Sequence, residues 1–184
     1  MKLALEKIKS IMKSYYLNKI EDNDELRRLY KDFFTKDDII KALHIAVEEK
    51  DSQGVEDIFH ISFALNLLPS KEESIFQILL LERWHNRHED VVRLCQNVYH
   101  NNKENAKTLL NAIETIPEYL QDEDFKYPYI RKIIYAIGAQ PEPDNIKALE
   151  DLAKSKDEKI RDLATHQIEK RKKLGRWEAA KNDQ

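Results

Sequence analysis

Two histidines and a glutamate lie close enough along the chain to raise the question of a metal site. His85, His88 and Glu89 share one face of a predicted helix, because residues three and four positions apart are neighbours there. Zinc takes nitrogen and oxygen ligands of these kinds. The order H-x-x-H-E matches neither H-E-x-x-H nor H-x-x-E-H, and no fourth ligand is evident. We therefore predict no metal ion and no cofactor, and expect a helix-terminal junction in which His85 caps carbonyl groups.

The sequence contains no pattern typical of a catalytic site. Its glycines, Gly54, Gly138 and Gly175, are isolated, so a phosphate-cradling loop cannot form. Its single cysteine, Cys95, lies in an apolar periodic segment and is interpreted as a small buried hydrophobe. No serine lies in a nucleophile elbow, and no D-x-D metal loop occurs. These observations predict a protein that is not an enzyme.

Carboxylates next to aromatic rings make residues 121–129 the best candidate for contacts with another protein. The acidic link 121–124 leads to Phe125, Tyr127 and Tyr129. Carboxylates steer a basic partner during encounter, and aromatic rings supply buried anchors in an interface. The alternative is a plain loop whose rings pack inward. The residues predicted to bind a partner are Asp122, Glu123, Asp124, Tyr127, Glu89 and Asp90.

Charge is distributed unevenly along the chain. The formal net charge is −3, but residues 168–184 hold six basic and three acidic side chains, which leaves −6 for residues 1–167. A body of this sign does not attract nucleic acid through its phosphates, and it favours a basic partner. The basic C-terminal run is interpreted as a solvated helix end whose cations complement the helix dipole. We therefore predict a basic protein partner and no direct contact with nucleic acid.

Composition and periodicity predict an all-α fold of about ten helices. Helix-favouring Leu, Ile, Lys, Glu and Ala dominate, and with only three glycines the chain cannot hold many tight hairpins. Thr35 with Asp38 marks one helix start, and residues 70–73 form a capping box that marks another. The apolar run 75–81 is predicted to be a core helix covered on both sides. Pro117 is predicted to kink or end the helix before it.

No membrane span or signal peptide is predicted. No apolar run approaches the roughly 18 residues of a membrane helix, and the first residues carry charges at short intervals. We expect a cytoplasmic protein that does not contact a membrane. No biased linker divides the sequence, so a single helical domain is predicted over residues 1–184, with a frayed tail at 175–184.

Two C-terminal segments repeat one pattern. The pairs Ile130-Arg131 and Ile160-Arg161 lie 30 residues apart, and each is followed by apolar residues three and four positions on. Another amphipathic helix is predicted between them, at about 145–154. A helix pair that recurs at a fixed interval is typical of a stacked helical array, in which no unit buries its apolar face alone.

Residues 125–174 resemble HEAT-type repeats. In that family an aspartate in the inter-helix turn and an arginine one turn into the second helix form a ladder between units, and Asp157 and Arg161 match this pattern. The preceding unit keeps Arg131 but has Tyr127-Pro128 in place of the aspartate, and its period of about 30 residues is shorter than the usual 40 or so. The resemblance implies a right-handed α-solenoid-like array of antiparallel helix pairs.

A longer order of residues is similar to small bacterial HEAT-like immunity proteins of polymorphic-toxin and contact-dependent inhibition systems. The order is Ile78-Leu79-Leu80-Leu81-Glu82-x-Trp84-His85-x-x-His88-Glu89-Asp90-Val91-Val92, then Tyr119-Leu120, Arg131, Ala136-Ile137-Gly138 and Leu149-x-x-Leu152-Ala153-x-Ser155. The resemblance implies an immunity protein that neutralises a cognate secreted toxin domain, commonly a nuclease such as an RNase, by covering its active site or substrate groove. A monomer in a 1:1 complex is expected.

Two other functions are compatible with a helical array of this kind. A HEAT-like scaffold or adaptor would have several weak partners in place of one tight partner. HEAT-like DNA glycosylases also exist, but they need a basic groove and a base-recognition pocket. The net charge of −6 over residues 1–167 argues against a DNA glycosylase.

Overall fold

Helices form where the apolar periodicity predicts them. The computed structural model describes residues 2–67, 74–97 and 104–174, and these contain ten α-helices and no strand. The chain is therefore all-α, as its composition predicts. The helices are α1 Lys2–Tyr16, α2 Asn23–Tyr30, α3 Lys36–Glu48, α4 Ser52–Leu65, α5 Ser74–Leu81, α6 His88–Asn97, α7 Glu104–Glu114, α8 Glu123–Gly138, α9 Asp144–Leu152 and α10 Glu158–Leu174, with a 3₁₀ helix at Glu118–Leu120.

Two features of the sequence analysis, the capping box at 70–73 and the frayed tail at 175–184, lie outside the residues that the structure describes. Helix α7 ends at Glu114, just before Pro117, as predicted. Among the described residues, none of the helices has the length and apolar character that crossing a bilayer requires.

The helices fall into two compact units. One comprises Met1–Ile75 and Glu82–His88, and the other comprises Phe76–Leu81 and Glu89–Gln184. In the first unit α1 packs against α3 and α4, and α2 packs against α4. In the second unit α8 packs against α7, α9 and α10. The prediction of one solenoid-like domain over residues 1–184 stays a prediction.

In the first unit, capping side chains fix where two helices start, and buried apolar side chains form the core. Thr35 caps α3 as predicted, and with Asp38 it forms a capping box in which each side chain is bonded to the backbone of the other residue. Asp51 caps α4 by accepting from the amide of Gly54, and a Cβ at position 54 would lie 2.4 Å from the Asp51 carboxylate. Only glycine fits this capped start without moving the carboxylate. The apolar stripe of α1 that lies in this core is Leu5, Ile8, Ile11 and Met12.

Helix α8 is the scaffold of the second unit, and it begins earlier than the sequence predicts. The structure has no loop throughout 121–124, because Asp122 caps a helix that starts at Glu123. The Asp122 carboxylate accepts from the Asp124 amide at 3.0 Å, and the acidic first turn complements the helix dipole. Pro128 lies inside the helix, where it removes only one backbone donor. The buried side of α8 is formed by Tyr129, Ile130, Ile133, Ile134, Ala136 and Ile137.

Helix α5 is less enclosed than its sequence predicts. Four of its apolar side chains are buried, but Ile78 is 44% exposed and Leu81 is 38% exposed. These two residues are three positions apart, so they share one face of the helix. The prediction that α5 is covered on both sides is therefore wrong for this face.

Candidate partner-binding site

The three carboxylates predicted as contact residues form the N-terminal end of α8. Asp122, Glu123 and Asp124 are all exposed; we call this group the acidic end. Glu123 lies 3.7 Å from the ammonium of Lys159, and both side chains remain largely in solvent. Exposed pairs of this kind contribute little to stability. The acidic end therefore presents its negative charge to solvent, and Asp122 in addition caps α8.

The aromatic residues near the acidic end differ in exposure. Phe125 is 58% exposed and Tyr119 is 41% exposed, whereas Tyr129 is fully buried. Tyr127 is half-buried. The alternative in which all these rings pack inward is wrong for Phe125, and Tyr129 belongs to the core. An exposed ring beside carboxylates has the composition of an interface anchor with a polar rim.

Tyr127 is fixed by a carboxylate and a cation. Its hydroxyl donates to Asp157 Oδ2 at 3.0 Å, and the Lys159 ammonium lies 4.0 Å from the centroid of its ring. The bond to the carboxylate raises the pKa of the Tyr127 hydroxyl, because ionisation would place two negative charges together. Asp157 Oδ1 also accepts from the amide of Ile160 at 3.2 Å, which caps α10. The Asp157 carboxylate thus caps the start of α10 and also orients the ring of Tyr127.

Asp157 and the repeated arginines do not form a ladder in the described residues. Arg161 donates to the carbonyl of Ser155 at 3.3 Å. The Arg131 guanidinium lies 5.3 Å from the centroid of the Tyr135 ring. Asp157 instead binds Tyr127, the residue that stands in place of the turn aspartate in the preceding unit.

The second acidic pair borders the same helix. Glu89 and Asp90 lie in the first turn of α6 and are half-buried. Glu89 accepts from the ammonium of Lys132 on α8 at 2.6 Å. Since Lys132 is nine residues beyond Glu123, this contact is about 14 Å along α8 from the acidic end. The structure therefore places Glu89 beside α8, with its charge offset by a lysine.

A groove that the sequence analysis does not single out lies between α8 and α10. Its volume is about 630 Å³. Tyr127, Arg131 and Tyr135 recur every four residues along α8 and line one side, and Lys159 and Leu163 of α10 line the other. We call it the tyrosine groove. The four-residue spacing shows from sequence that these three side chains share one face of a helix. It does not show which residues of α10 form the other side of the groove.

The two histidines considered as metal ligands are buried and stacked. The ring centroids of His85 and His88 are 4.2 Å apart and the rings are inclined by 10°. A carbonyl can only accept, so His88 Nε2 donates to the carbonyl of Glu82 at 2.6 Å. His85 Nδ1 accepts from the amide of Arg87 at 3.0 Å. His88 therefore makes a carbonyl contact of the kind expected for His85, and the expectation for His85 itself stays a prediction. The part of the chain that the structure describes holds no group of three residues arranged to bind a metal.

Cys95 is buried, as its apolar surroundings predict. Burial raises the pKa of its thiol to about 12, because a thiolate would lose its hydration in the core. At neutral pH the side chain is therefore protonated, and a protonated thiol is a poor nucleophile and metal ligand.

The chain matches no protein-family model, no curated protein and no solved structure in comparisons with known proteins. By its fold and its site, the chain is an all-α protein in which helix α8 carries exposed carboxylates and borders a tyrosine-lined groove.

Proposed function

We propose that this protein is an immunity protein, which binds the toxin domain of a cognate secreted toxin and neutralises it by covering the active site or substrate groove. The observation that carries the proposal is the acidic end of α8 with Phe125 beside it, three exposed carboxylates next to a ring that is 58% exposed. A nuclease needs a positively charged groove to hold phosphates, and carboxylates complement such a groove. The resemblance to HEAT-like immunity proteins supports the same function.

The setting of the acidic end suits tight binding. It lies at the start of a 16-residue helix that packs against three others, so its backbone is already ordered before a partner arrives. Binding then costs less conformational entropy than it would for a flexible loop. The exposed carboxylates accelerate encounter with a basic surface, and Phe125 fills a pocket on that surface once the complex has formed.

Co-expression tests the proposal directly. The toxin domain encoded by the neighbouring gene is expected to arrest growth when it is expressed alone, and co-expression with this chain is expected to restore growth. The purified pair should form a 1:1 complex in which the toxin is inactive. Lack of binding at micromolar concentration would contradict the proposal. Several weak partners captured from a lysate, without one that is toxic alone, would favour a scaffold.

Neutralising the acidic end is expected to slow association with the toxin about tenfold at low salt. The triple variant Asp122→Asn, Glu123→Gln, Asp124→Asn keeps every side-chain shape, and asparagine retains the capping oxygen of position 122. Its melting temperature should therefore stay close to that of the wild type. Stopped-flow association at several salt concentrations measures the effect.

The control for the acidic end changes three exposed carboxylates of the first unit, Glu6→Gln, Asp32→Asn and Glu48→Gln. This variant has the same net charge as the triple variant but keeps the acidic end. If both variants slow association equally, total charge rather than the acidic end steers the toxin.

Removing the exposed ring is expected to weaken the complex about tenfold or more, mainly through faster dissociation. Phe125→Ala removes little packing within the fold, since the ring is 58% exposed. Phe33→Ala is a matched control, because Phe33 is also 58% exposed but belongs to the first unit. Surface plasmon resonance of the toxin complex separates the two rates. Equal losses for both variants would show that Phe125 is not an anchor.

A further inference from the structure

The tyrosine groove has a regular arrangement of rings and cations. Tyr127 and Tyr135 are eight residues apart on α8, which places them on one side of the helix and about 12 Å apart along its axis. Each ring has two cations within 5.4 Å of its centroid. Lys126 and Lys159 approach Tyr127, and Arg131 and Lys170 approach Tyr135.

The cations at Tyr135 differ from the other lysines of the groove in their ionic contacts. Lys159 lies near Glu123, and Lys132 is paired with Glu89. Among the described residues, neither Arg131 nor Lys170 has a carboxylate within 4.0 Å, and both side chains are exposed. Two unpaired cations thus converge on one ring from α8 and α10. This end of the groove attracts an anion in a chain that is otherwise negatively charged.

The wall of the groove also has apolar surface. Pro128, Leu163 and the two tyrosine rings supply it. A ligand that fits therefore carries apolar groups as well as negative charge. An extended peptide rises about 3.3 Å per residue, so roughly four residues cover the 12 Å from one tyrosine to the other.

Carboxylates around the groove favour a peptide over a nucleic acid. Asp162 lies in the lining, and Glu123 and Glu89 lie beside two of its lysines. A nucleic acid carries a charge on every phosphate and would meet these carboxylates along its length. A peptide can place two or three carboxylates opposite the cations and apolar side chains elsewhere.

We propose that the tyrosine groove binds an acidic, leucine-bearing segment of a partner protein, with its carboxylates at Arg131 and Lys170 and its apolar side chains against Tyr127, Tyr135 and Leu163. This site is distinct from the acidic end, which suits a basic surface. The proposal that this groove binds an acidic segment does not depend on whether the partner is a toxin. A partner that engages both sites has to present a basic surface and an acidic segment that are about 12 to 18 Å apart along α8.

Fluorescence anisotropy with the full chain tests the site. The probe is a fluorescein-labelled peptide of about eight residues in which single leucines alternate with pairs of glutamates, a length that spans both rings. It is expected to bind in the micromolar range, and the double variant Arg131→Gln, Lys170→Gln is expected to bind it about tenfold or more weakly. Lys147→Gln is the control, since this exposed lysine of α9 lies outside the groove.

Three outcomes would overturn the proposal. If the peptide does not bind at about 1 mM, the groove has no useful affinity for acidic segments. If the double variant binds as well as the Lys147→Gln control, the peptide binds elsewhere. If a single-stranded RNA of similar length binds more tightly and is weakened by the same double variant, the groove recognises nucleic acid. Unchanged melting temperatures of both variants would show that the loss is not caused by unfolding.

Discussion

Acidification from pH 7 to pH 4 is expected to lower the free energy of unfolding by about 3 kcal/mol through His88 alone. Burial, helped by the neighbouring His85, lowers the pKa of the His88 imidazole from 6.5 to about 4. The hydrogen bond to the Glu82 carbonyl opposes this shift only partly. Because His88 Nε2 already donates to that carbonyl, the extra proton has to enter at Nδ1, on a fully buried ring stacked against His85.

Acid destabilises the fold because the unfolded chain binds a proton at His88 at a higher pH than the folded chain does. In the unfolded chain His88 becomes protonated as the pH falls through 6.5, whereas in the folded chain it stays neutral until about pH 4. Between these values the unfolded state binds more protons, so acid favours unfolding. The contribution of His88 is therefore complete above pH 6.5 and is lost progressively down to pH 4.

Urea denaturation at a series of pH values measures this loss. In His88→Gln the glutamine amide can still donate a hydrogen bond but does not titrate, so the slope of stability against pH should decrease between pH 6.5 and pH 4. His44→Gln is the control, since it replaces an exposed histidine of α3 and leaves the buried histidine pair intact. A His88 ring proton signal that titrates near pH 6.5 in NMR spectra would contradict the prediction.

The helices could be predicted from sequence because their signals are local. Thr35 and Asp38 cap α3 through atoms three residues apart, and this geometry forms in any helix that starts there. The start of α8 is predicted less well, because the acidic run 121–124 is interpreted from sequence as a link between helices. At the sixth position of the helix, proline removes one backbone donor, and the helix is held by the Asp122 cap together with the apolar side chains that α8 buries. Asp122 followed by two acidic residues is the signal that identifies this start.

The candidate site was predictable only where its residues are consecutive. The acidic end is a run of three neighbouring residues, so the sequence locates it. The tyrosine groove needs Arg131 from α8 and Lys170 from α10, which are 39 positions apart and meet through helix packing. Exposure also depends on packing. The sequence does not distinguish the exposed ring of Phe125 from the buried ring of Tyr129 four residues later.

Gln140 shows how a polar residue with no sequence motif can organise the second unit. Its side chain is 1% exposed. Its amide nitrogen donates to the carbonyls of Cys95 and Ala136, both at 2.8 Å, and its oxygen accepts from Asn105 at 3.2 Å. Asn105 accepts in turn from Gln77 at 2.8 Å. The network links α5, α6, α7 and the C-terminal end of α8, and it satisfies polar groups that cannot reach water.

Replacing Gln140 with alanine is therefore expected to reduce the free energy of unfolding by about 4 kcal/mol, because it opens a cavity and removes three hydrogen bonds to buried groups at once. Gln121→Ala is the matched control. Gln121 is exposed and makes one bond, to the carbonyl of Ile116 at 3.3 Å, so its loss should cost less than about 1 kcal/mol. Urea denaturation of both variants measures the difference. A loss below about 1 kcal/mol for Gln140→Ala would mean that water enters the cavity and replaces the amide, since a bridging water can satisfy the same three groups.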